Sequence, residues 1–377
     1  MSNNLLQKNY KYKVGLDVDD VLFHCIGLAL DLEKEKNPAL DLEMDDIKSW
    51  ISPEMKAGVL LKYFDRPDFY ERQTPLDGAI EFVNELAKRA EVFFVTAVSN
   101  EFMGIRGKQL RKFFPNIPEK NFIPASRKNL VTLDFLLDDR SENILASNAK
   151  YPVIFRKPWN KGITGILSVG TYTEFLDIFD CITGYKENPT PSNILVLIGP
   201  SASGKSVIAE KLEETGFYER PISSTTRRPR KGETEKSYHF LTETEFKEKM
   251  DNDKFLENSI YSGNRYGLEK SSVFEILAKN KKCVIVADIS GAMALKMSLG
   301  ATLIFVKRET KEILHTLLER IRKGEMTPED MEKRLVSLTD EKKNENICDY
   351  TLMNRKSVAD SVAELLEEFY WKDRAYQ

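Results

Sequence analysis

A chain of 377 residues is long for one domain and comfortable for two, each able to bury its own core. The formal net charge of −3 provides no general attraction to nucleic acid or to an anionic membrane surface. Charged residues at 31% and hydrophobic ones at 41% are ordinary for a soluble globular protein, and no apolar run approaches the roughly 20 residues of a spanning helix. The polar stretch from Met1 to Tyr10 lacks the apolar core of a signal peptide. Cys25, Cys181, Cys283 and Cys348 are far apart, without a CxxC or Cys/His cluster, which predicts reduced thiols in a cytoplasmic protein. With only His24, His239 and His315 present, the chemistry falls to carboxylates and cations.

Short apolar runs that end in polar or Gly-rich turns alternate with helical patterns, predicting an α/β fold on parallel sheets. In chain order, strands are expected at 13–16, 92–96, 133–137 and 152–156. Helices are expected at 78–89, ending in Lys88-Arg89, and at 104–114, ending before Pro115. The stretch 183–192 is polar, holds Gly184, Pro189 and Pro191, and reads as a linker. Strands follow at 194–198, 284–289, 302–307 and 350–353, with helices between. There is no internal repeat, so the domains at 10–182 and 193–377 are different folds rather than duplicates.

The first strand ends in Asp17-Val18-Asp19-Asp20, which puts carboxylates at the carboxyl edge of a sheet. In Asp-x-Asp the first carboxylate can attack phosphorus while the second protonates the leaving oxygen, with Mg²⁺ screening the charge. The same pattern also serves as a turn or a helix cap. The apolar run Val92–Val95 ends in Thr96, a hydroxyl suited to phosphate, and Phe135-Leu136-Leu137 ends in Asp138-Asp139, a carboxylate pair suited to a hard cation. Lys128 stands ten residues before that pair in a polar loop.

This ordered set resembles the haloacid dehalogenase superfamily and, more narrowly, the 5'(3')-deoxyribonucleotidase family. The resemblance implies a Rossmann-like phosphatase domain with a small helical cap over about residues 24–75. It implies Asp17 as nucleophile, Asp19 as general acid/base, and Thr96 and Lys128 as phosphate binders. Asp17, Asp19 and Asp138 would hold Mg²⁺, with Asp139 an outer group oriented with Arg140. Arg106 and Lys108 are both placed for a second phosphate-binding cation. Trp50 and Phe69 match the family's aromatic base pocket, although packing into a core is the common fate of such side chains. Asp20 stands where the family often has glycine.

In the second half, Ile194–Ile198 runs into Gly199-Pro200-Ser201-Ala202-Ser203-Gly204-Lys205-Ser206 and then a helical pattern. This is a complete phosphate-binding loop: the glycines turn backbone N–H groups toward phosphates, Lys205 bridges the β and γ groups, and Ser206 reaches Mg²⁺. Gly199, Ser201, Ser203, Gly204, Lys205 and Ser206 are the expected ATP contacts.

The segment from Ser223 through Arg227-Arg228-Pro229-Arg230 to Tyr238, followed by Glu257 and Arg265-Tyr266-Gly267, resembles the acceptor-binding segment of the guanylate kinase family. Paired arginines make bidentate phosphate contacts and tyrosine hydroxyls complete the shell. The resemblance assigns the acceptor phosphate to Arg227, Arg230, Tyr238 and Tyr266, and base reading to Ser223 and Glu257. Arg334 matches a transfer arginine, and Arg322 or Lys323 a lid cation. Leu268 and Ser290 replace polar residues that help to read guanine in the family, which bears on selectivity.

Together these patterns predict a Mg²⁺- and ATP-using bifunctional enzyme. One domain would dephosphorylate (deoxy)nucleoside monophosphates, and the other would phosphorylate a monophosphate, with (d)GMP the leading acceptor. Its expected partners are small-molecule nucleotides, with no membrane and no nucleic acid; a homo-oligomer is left open. A polynucleotide 5'-kinase/3'-phosphatase is the enzyme alternative, and it asks for a basic channel that the net charge opposes. An interaction module that has lost catalysis is the alternative from another class; the intact Lys205, Ser206, Arg227, Arg230 and Arg334 oppose it.

Overall fold

The computed structural model of the chain describes residues 10–47, 58–160, 163, 165–186, 193–229, 233–234, 237–261, 264–355 and 357–372. They divide into two compact units, one of residues up to Ile163 with Leu167–Asp180, the other of Thr164–Ile166 with Cys181 onward.

The first unit is built on six parallel strands: β1 (Lys13–Leu16), β2 (Glu91–Thr96), β3 (Phe122–Pro124), β4 (Phe135–Asp138), β5 (Tyr151–Phe155) and β6 (Ser168–Val169). Their order is β3-β2-β1-β4-β5-β6. Val14 and Leu16 of β1 and all of β4 are buried, as expected of strands covered on both faces. Leu133 fills the space that a side chain at Gly15 would take, so β1 is packed as closely as its sequence permits. The order reverses on either side of β1, and at such a switch point the carboxyl ends of adjacent strands open a crevice.

Between β1 and β2 lies an insert with α1 (Ile26–Lys36), α2 (Gly58–Leu61) and α3 (Pro67–Arg72). It is helical and has its own small core of Leu30, Leu42, Ile47, Leu60, Tyr63 and Phe69. The other helices of this unit are α4 (Ala79–Leu86), α5 (Met103–Phe113), α6 (Ser141–Ala146) and α7 (Tyr172–Thr183). Helix α4 is shorter than the 78–89 pattern suggests, because Gly78 is left-handed at its N-cap (φ 78°) and cannot belong to the helix. Pro115 stops α5 by denying Phe114 a helical backbone (φ −125°, ψ 58°).

The second unit has a five-stranded parallel sheet of β7 (Ile194–Ile198), β8 (Tyr218–Glu219), β13 (Lys282–Val286), β14 (Thr302–Lys307) and β15 (Tyr350–Met353). Its order is β15-β14-β7-β13-β8. A second, mixed sheet in the order β10-β9-β12-β11 holds β9 (Ser224–Thr225), β10 (His239–Phe240), β11 (Phe255–Tyr261) and β12 (Asn264–Glu269). Two of its strands are two residues long, too short to leave a periodic trace in sequence.

Helices α8 (Lys205–Glu214), α9 (Glu243–Asp251), α10 (Lys270–Ala278), α11 (Ile289–Leu299), α12 (Thr310–Arg322), α13 (Pro328–Lys343) and α14 (Val358–Leu366) complete the unit. Strand β13 ends at Val286, not at 289, because Asp288 is taken up as the N-cap of α11 and accepts from the Gly291 N–H at 2.8 Å. The core gathers Leu197 of β7, Ile208 and Leu212 of α8, Val284, Val306, Leu352 and Leu365. No helix among the described residues is long and apolar enough to cross a membrane.

Candidate active sites

In the first unit the carboxyl ends of β1, β2 and β4 bring Asp17, Thr96 and Asp138 together. The N–H of Asp17 donates to Leu137 O (2.9 Å), which ties the residue after β1 to the end of β4. Oxygens of Asp17, Asp138 and Asp139 lie within 4.8 Å of one another, and all three residues are buried. Lys128 stands between two of them, its Nζ 2.7 Å from Asp17 Oδ1 and 2.6 Å from Asp138 Oδ2. Asp138 also accepts from the Arg140 N–H (2.9 Å) and from Asn143 Nδ2 (3.0 Å), and Asp139 from Trp159 Nε1 (2.8 Å).

Burial dominates the electrostatics of this cluster. It raises the Asp17 carboxyl to about 7, against the pull of Lys128, and it raises Asp139 well above the ordinary range, with the charge of Asp138 adding to the shift. Lys128 is held protonated by its two carboxylates despite its burial. Three hard oxygen donors at this spacing suit Mg²⁺. The Thr96 hydroxyl is fully buried at the end of β2 with no protein group to bond, so it is free to donate to a phosphate oxygen.

Two expectations are corrected here. The carboxylate of Asp19 lies outside the acidic trio: it pairs with the Arg106 guanidinium and accepts from Cys25 Sγ at 3.0 Å, whereas Asp139 belongs to the trio itself. Phe69 is fully buried in the core of the insert, its ring 5.0 Å from Phe64 and 6.0 Å from Tyr63, and offers no surface to a nucleobase. Trp50 lies outside the described residues.

Of the two candidates for a second phosphate-binding cation, Lys108 is exposed and Arg106 is fully buried. Besides pairing with Asp19, Arg106 donates to Gln73 Oε1 (2.9 Å) and Gln109 Oε1 (2.6 Å) and packs over the Phe23 and Tyr70 rings. It therefore fixes Asp19 from the insert side.

Asp20 adopts a left-handed backbone (φ 56°), the conformation that explains a glycine at such a position. Its carboxylate accepts from the N–H groups of Cys25 (3.2 Å) and Ile26 (3.0 Å), satisfying donors at the start of α1. Aspartate thus anchors the first helix of the insert to the Asp17 loop, at the expense of a buried carboxyl raised to about 7.

In the second unit the loop from Gly199 to Ser206 joins β7 to α8. Gly199 (φ 138°) lies so near β14 that a Cβ would fall 2.6 Å from Val306 O, and Gly204 (φ 103°) leaves no room for one beside the Asn354 amide. Asn354 Nδ2 holds Ser203 O (2.7 Å) and Arg308 holds Ala202 O (2.9 Å). Lys205 Nζ donates to Gly199 O (2.6 Å) and Pro200 O (2.8 Å), and burial lowers its ammonium to about 8. Arg334 donates to Ser201 Oγ, while Arg334 Nε and the buried Ser203 Oγ have no partner. Ser206 is exposed at the first turn of α8.

The charge of Arg320, not of Arg322 or Lys323, bears on Lys205; Arg322 is paired with Glu319 at the surface. Glu341 opposes that positive charge, receives the Ser201 backbone N–H, and accepts from Ser337 Oγ (2.6 Å). Asn354, Arg308, Arg320 and Glu341 are the loop's supporting residues that sequence reasoning did not assign. Asn354 directly follows β15, and the pairing of that strand with β14 brings it to the loop.

At the mixed sheet, Arg227 makes a two-point contact with Glu233 (2.9 and 2.9 Å) and stacks over Tyr238, whose ring lies 6.0 Å from that of Tyr266. A carboxylate here occupies the fork that a phosphate would take. Ser223 sits at the edge of β9, where its carbonyl accepts the His239 N–H (2.9 Å). Glu257 of β11 is opposite Leu268 of β12, and Arg230 lies outside the described residues.

Each half of the chain matches a family model. Residues 191–372 match the family model described as guanylate kinase. Residues 11–183 match the one described as 5' nucleotidase, deoxy (pyrimidine), cytosolic type C protein. A guanylate kinase of Gloeobacter violaceus is 37% identical over 184 residues, which are 47% of this chain and 88% of that protein. One from Clostridium tetani is 34% identical over 175 residues, 46% of this chain and 82% of the other. A solved guanylate kinase from Anaplasma phagocytophilum aligns over 49% of this chain and 88% of its own at 24% identity and a TM-score of 0.38.

Two outcomes follow from this geometry. The Asp20 carboxyl binds its proton more tightly folded, at about 7, than unfolded, near 3.9, so its contribution to stability falls as pH rises from about 4 to 7. Asp20→Asn keeps the helix-capping oxygen without the charge and should raise the urea midpoint at pH 8 but not at pH 4. Asp20→Ala should lower it at pH 4, where the lost cap costs about 1 kcal/mol. For the acidic trio, millimolar Mg²⁺ should raise the thermal midpoint of the wild type at pH 7.5 and leave Asp138→Asn unmoved, as read by calorimetry.

Proposed function

The chain belongs, through its C-terminal half, to the guanylate kinase family, and from that premise we propose a bifunctional enzyme of nucleotide metabolism. Its second unit would transfer the γ-phosphoryl group of ATP to a nucleoside monophosphate, with (d)GMP as the leading acceptor. Its first unit would remove the phosphate of (deoxy)nucleoside monophosphates. One observation supports the reading: at each sheet edge stands a buried hydroxyl with no protein partner, Thr96 at the end of β2 and Ser203 in the loop that leads to Lys205.

In the phosphatase site, the Asp17 carboxylate attacks phosphorus and becomes an aspartyl-phosphate as the nucleoside oxygen leaves. Asp19, steadied by Arg106, protonates that oxygen and then takes a proton from the water that cleaves the acyl phosphate. Lys128 and Thr96 hold the phosphate oxygens. Mg²⁺ bound by Asp17, Asp138 and Asp139 would screen the repulsion between carboxylate and phosphate.

In the kinase site, backbone N–H groups of the Gly199–Ser206 loop receive the ATP phosphates, and Lys205 exchanges its two carbonyl partners for phosphate oxygens. Ser206 is the hydroxyl for the Mg²⁺ of ATP. Arg334 neutralises charge on the moving group from its place beside Ser201. Arg227 leaves Glu233 for the acceptor phosphate, with Arg230, Tyr238 and Tyr266 completing that shell, while Ser223 and Glu257 face the base.

The test is an incubation of the protein with Mg²⁺-ATP and each ribo- and deoxynucleoside monophosphate, resolving nucleoside, monophosphate and diphosphate together. Diphosphate should form from a guanine nucleotide and fall at least about a hundredfold in Lys205→Ala. Nucleoside should persist in that variant and disappear in Asp17→Asn. Absence of both products with every monophosphate refutes the proposal.

A further inference from the structure

Glu257 has an unusual setting for a group that reads a base. Its register partner on the neighbouring strand is Leu268, so the two side chains leave the sheet on the same face, about 5 Å apart at their Cβ atoms. Leu268 is 1% exposed. On its other side the Glu257 carboxylate abuts the first turn of α11: a Cβ on Gly291 would lie 3.1 Å from Oε2. The N–H of Gly291 is already given to Asp288, the cap of that helix.

Among the described residues, the charged group that bears on Glu257 is Asp288, and it has the same sign. The next acid on β12, Glu269, is turned to Ser224 and Lys249. Glu257 is thus walled by an apolar side chain, a helix turn whose donor is engaged, and a second acid.

We propose that Leu268 determines base specificity: by covering Glu257 from the adjacent strand, it opens the acceptor pocket to bases that pair a ring acceptor with an exocyclic amine. This rests on the kinase reading above and refines its substrate class.

The argument is one of matching hydrogen-bond patterns. Guanine presents two adjacent donors, N1–H and the 2-amino group, which call for the two acceptor oxygens of an ionised carboxylate. Adenine and cytosine present an acceptor nitrogen beside an amino donor, which call for one donor and one acceptor, as a neutral carboxyl provides. Burial, with Asp288 adding to it, raises Glu257 to about 8, so the neutral form prevails at pH 7. A hydroxyl at 268 would solvate the carboxylate and return it to the two-acceptor form; leucine cannot. A mismatched polar edge against a largely buried carboxyl is rejected, so the protonation state of this one group shifts the ranking of bases.

The experiment is the ratio of kcat/KM for GMP to that for AMP and for CMP, measured from pH 6 to 9 in wild type, Leu268→Ser and Glu257→Gln. The ratio cancels the titration common to the substrate phosphates. In the wild type it should rise about tenfold per pH unit, with measurable AMP or CMP turnover at pH 6 to 7. Leu268→Ser should move the midpoint of the GMP profile down by at least about one unit and raise the ratio at pH 7 about tenfold. Glu257→Gln, which always offers one donor and one acceptor, should show a low ratio independent of pH.

A wild-type ratio that is flat with pH overturns the proposal, as does a midpoint unmoved by Leu268→Ser. Should that variant fail to fold, a pH slope that survives in Glu257→Gln overturns it. If the wild type phosphorylates no monophosphate at any pH, the kinase reading falls and this proposal with it, an outcome distinct from activity without the pH dependence.

Discussion

The first site depends on one ammonium group. Lys128 lies buried between Asp17 and Asp138, and without it the three carboxylates at the end of the sheet would be left to the weaker attraction of Arg106 and Lys157. Removing one member of such a buried pair leaves an uncompensated charge and costs about 3–5 kcal/mol. The pairing does not relieve the site completely: Asp17 and Asp139 remain raised, because burial outweighs the attraction. The chemistry of this crevice, with surplus carboxylates, a buried hydroxyl and a fixed ammonium, suits a divalent cation together with a phosphate. Its geometry follows from the switch point at β1, since only there do the ends of β1, β2 and β4 adjoin.

The loop after β7 is suited to phosphate charge by the opposite means. It relies on backbone N–H groups, which carry no charge to desolvate, and on the conformations that aim them. That places the burden on Gly199 and Gly204, which are left-handed and so closely approached by Val306 O and Asn354 that a side chain would collide. The loop is then steadied through its carbonyls by Asn354 and Arg308, from a strand end and a helix start well separated from it in sequence. Acid–cation clusters and glycine loops are thus two physical solutions to binding one kind of group at one kind of place, the carboxyl edge of a parallel sheet.

How much of this was legible beforehand depended on whether the signal was local. Asp17, Thr96, Asp138, Lys205 and Ser206 each close an apolar strand run or open a helix, so one short motif encodes both the chemistry and the position. Residues placed by packing were not legible. Arg106 and Lys108 lie two apart on α5, and only the docking of the insert decides which one is buried against Asp19. Phe69 joined the insert's core because an aromatic at helical spacing finds apolar neighbours there first. Asp139 entered the acidic trio because the turn after β4 brings it back toward Asp17, a matter of backbone direction that Asp-Asp does not specify. Asp20 looked like a loss of the usual glycine; the α1 N–H groups it accepts from explain it.

On the proposed function two sites draw on one pool of monophosphates and compete, and the partition between them is the ratio of their kcat/KM values for each base. An enzyme of this design acts coherently only if the two base readings differ, so that a nucleotide favoured by one site is a poor substrate of the other. Phosphate contacts cannot supply that difference, because every monophosphate carries the same group to Lys128 and Thr96 or to Arg227 and Tyr238. Discrimination must come from the few side chains that meet the base. On the reading proposed for the second unit, those are Glu257 and the residues that set its charge: Leu268 across the strand pair and Asp288 at the helix cap.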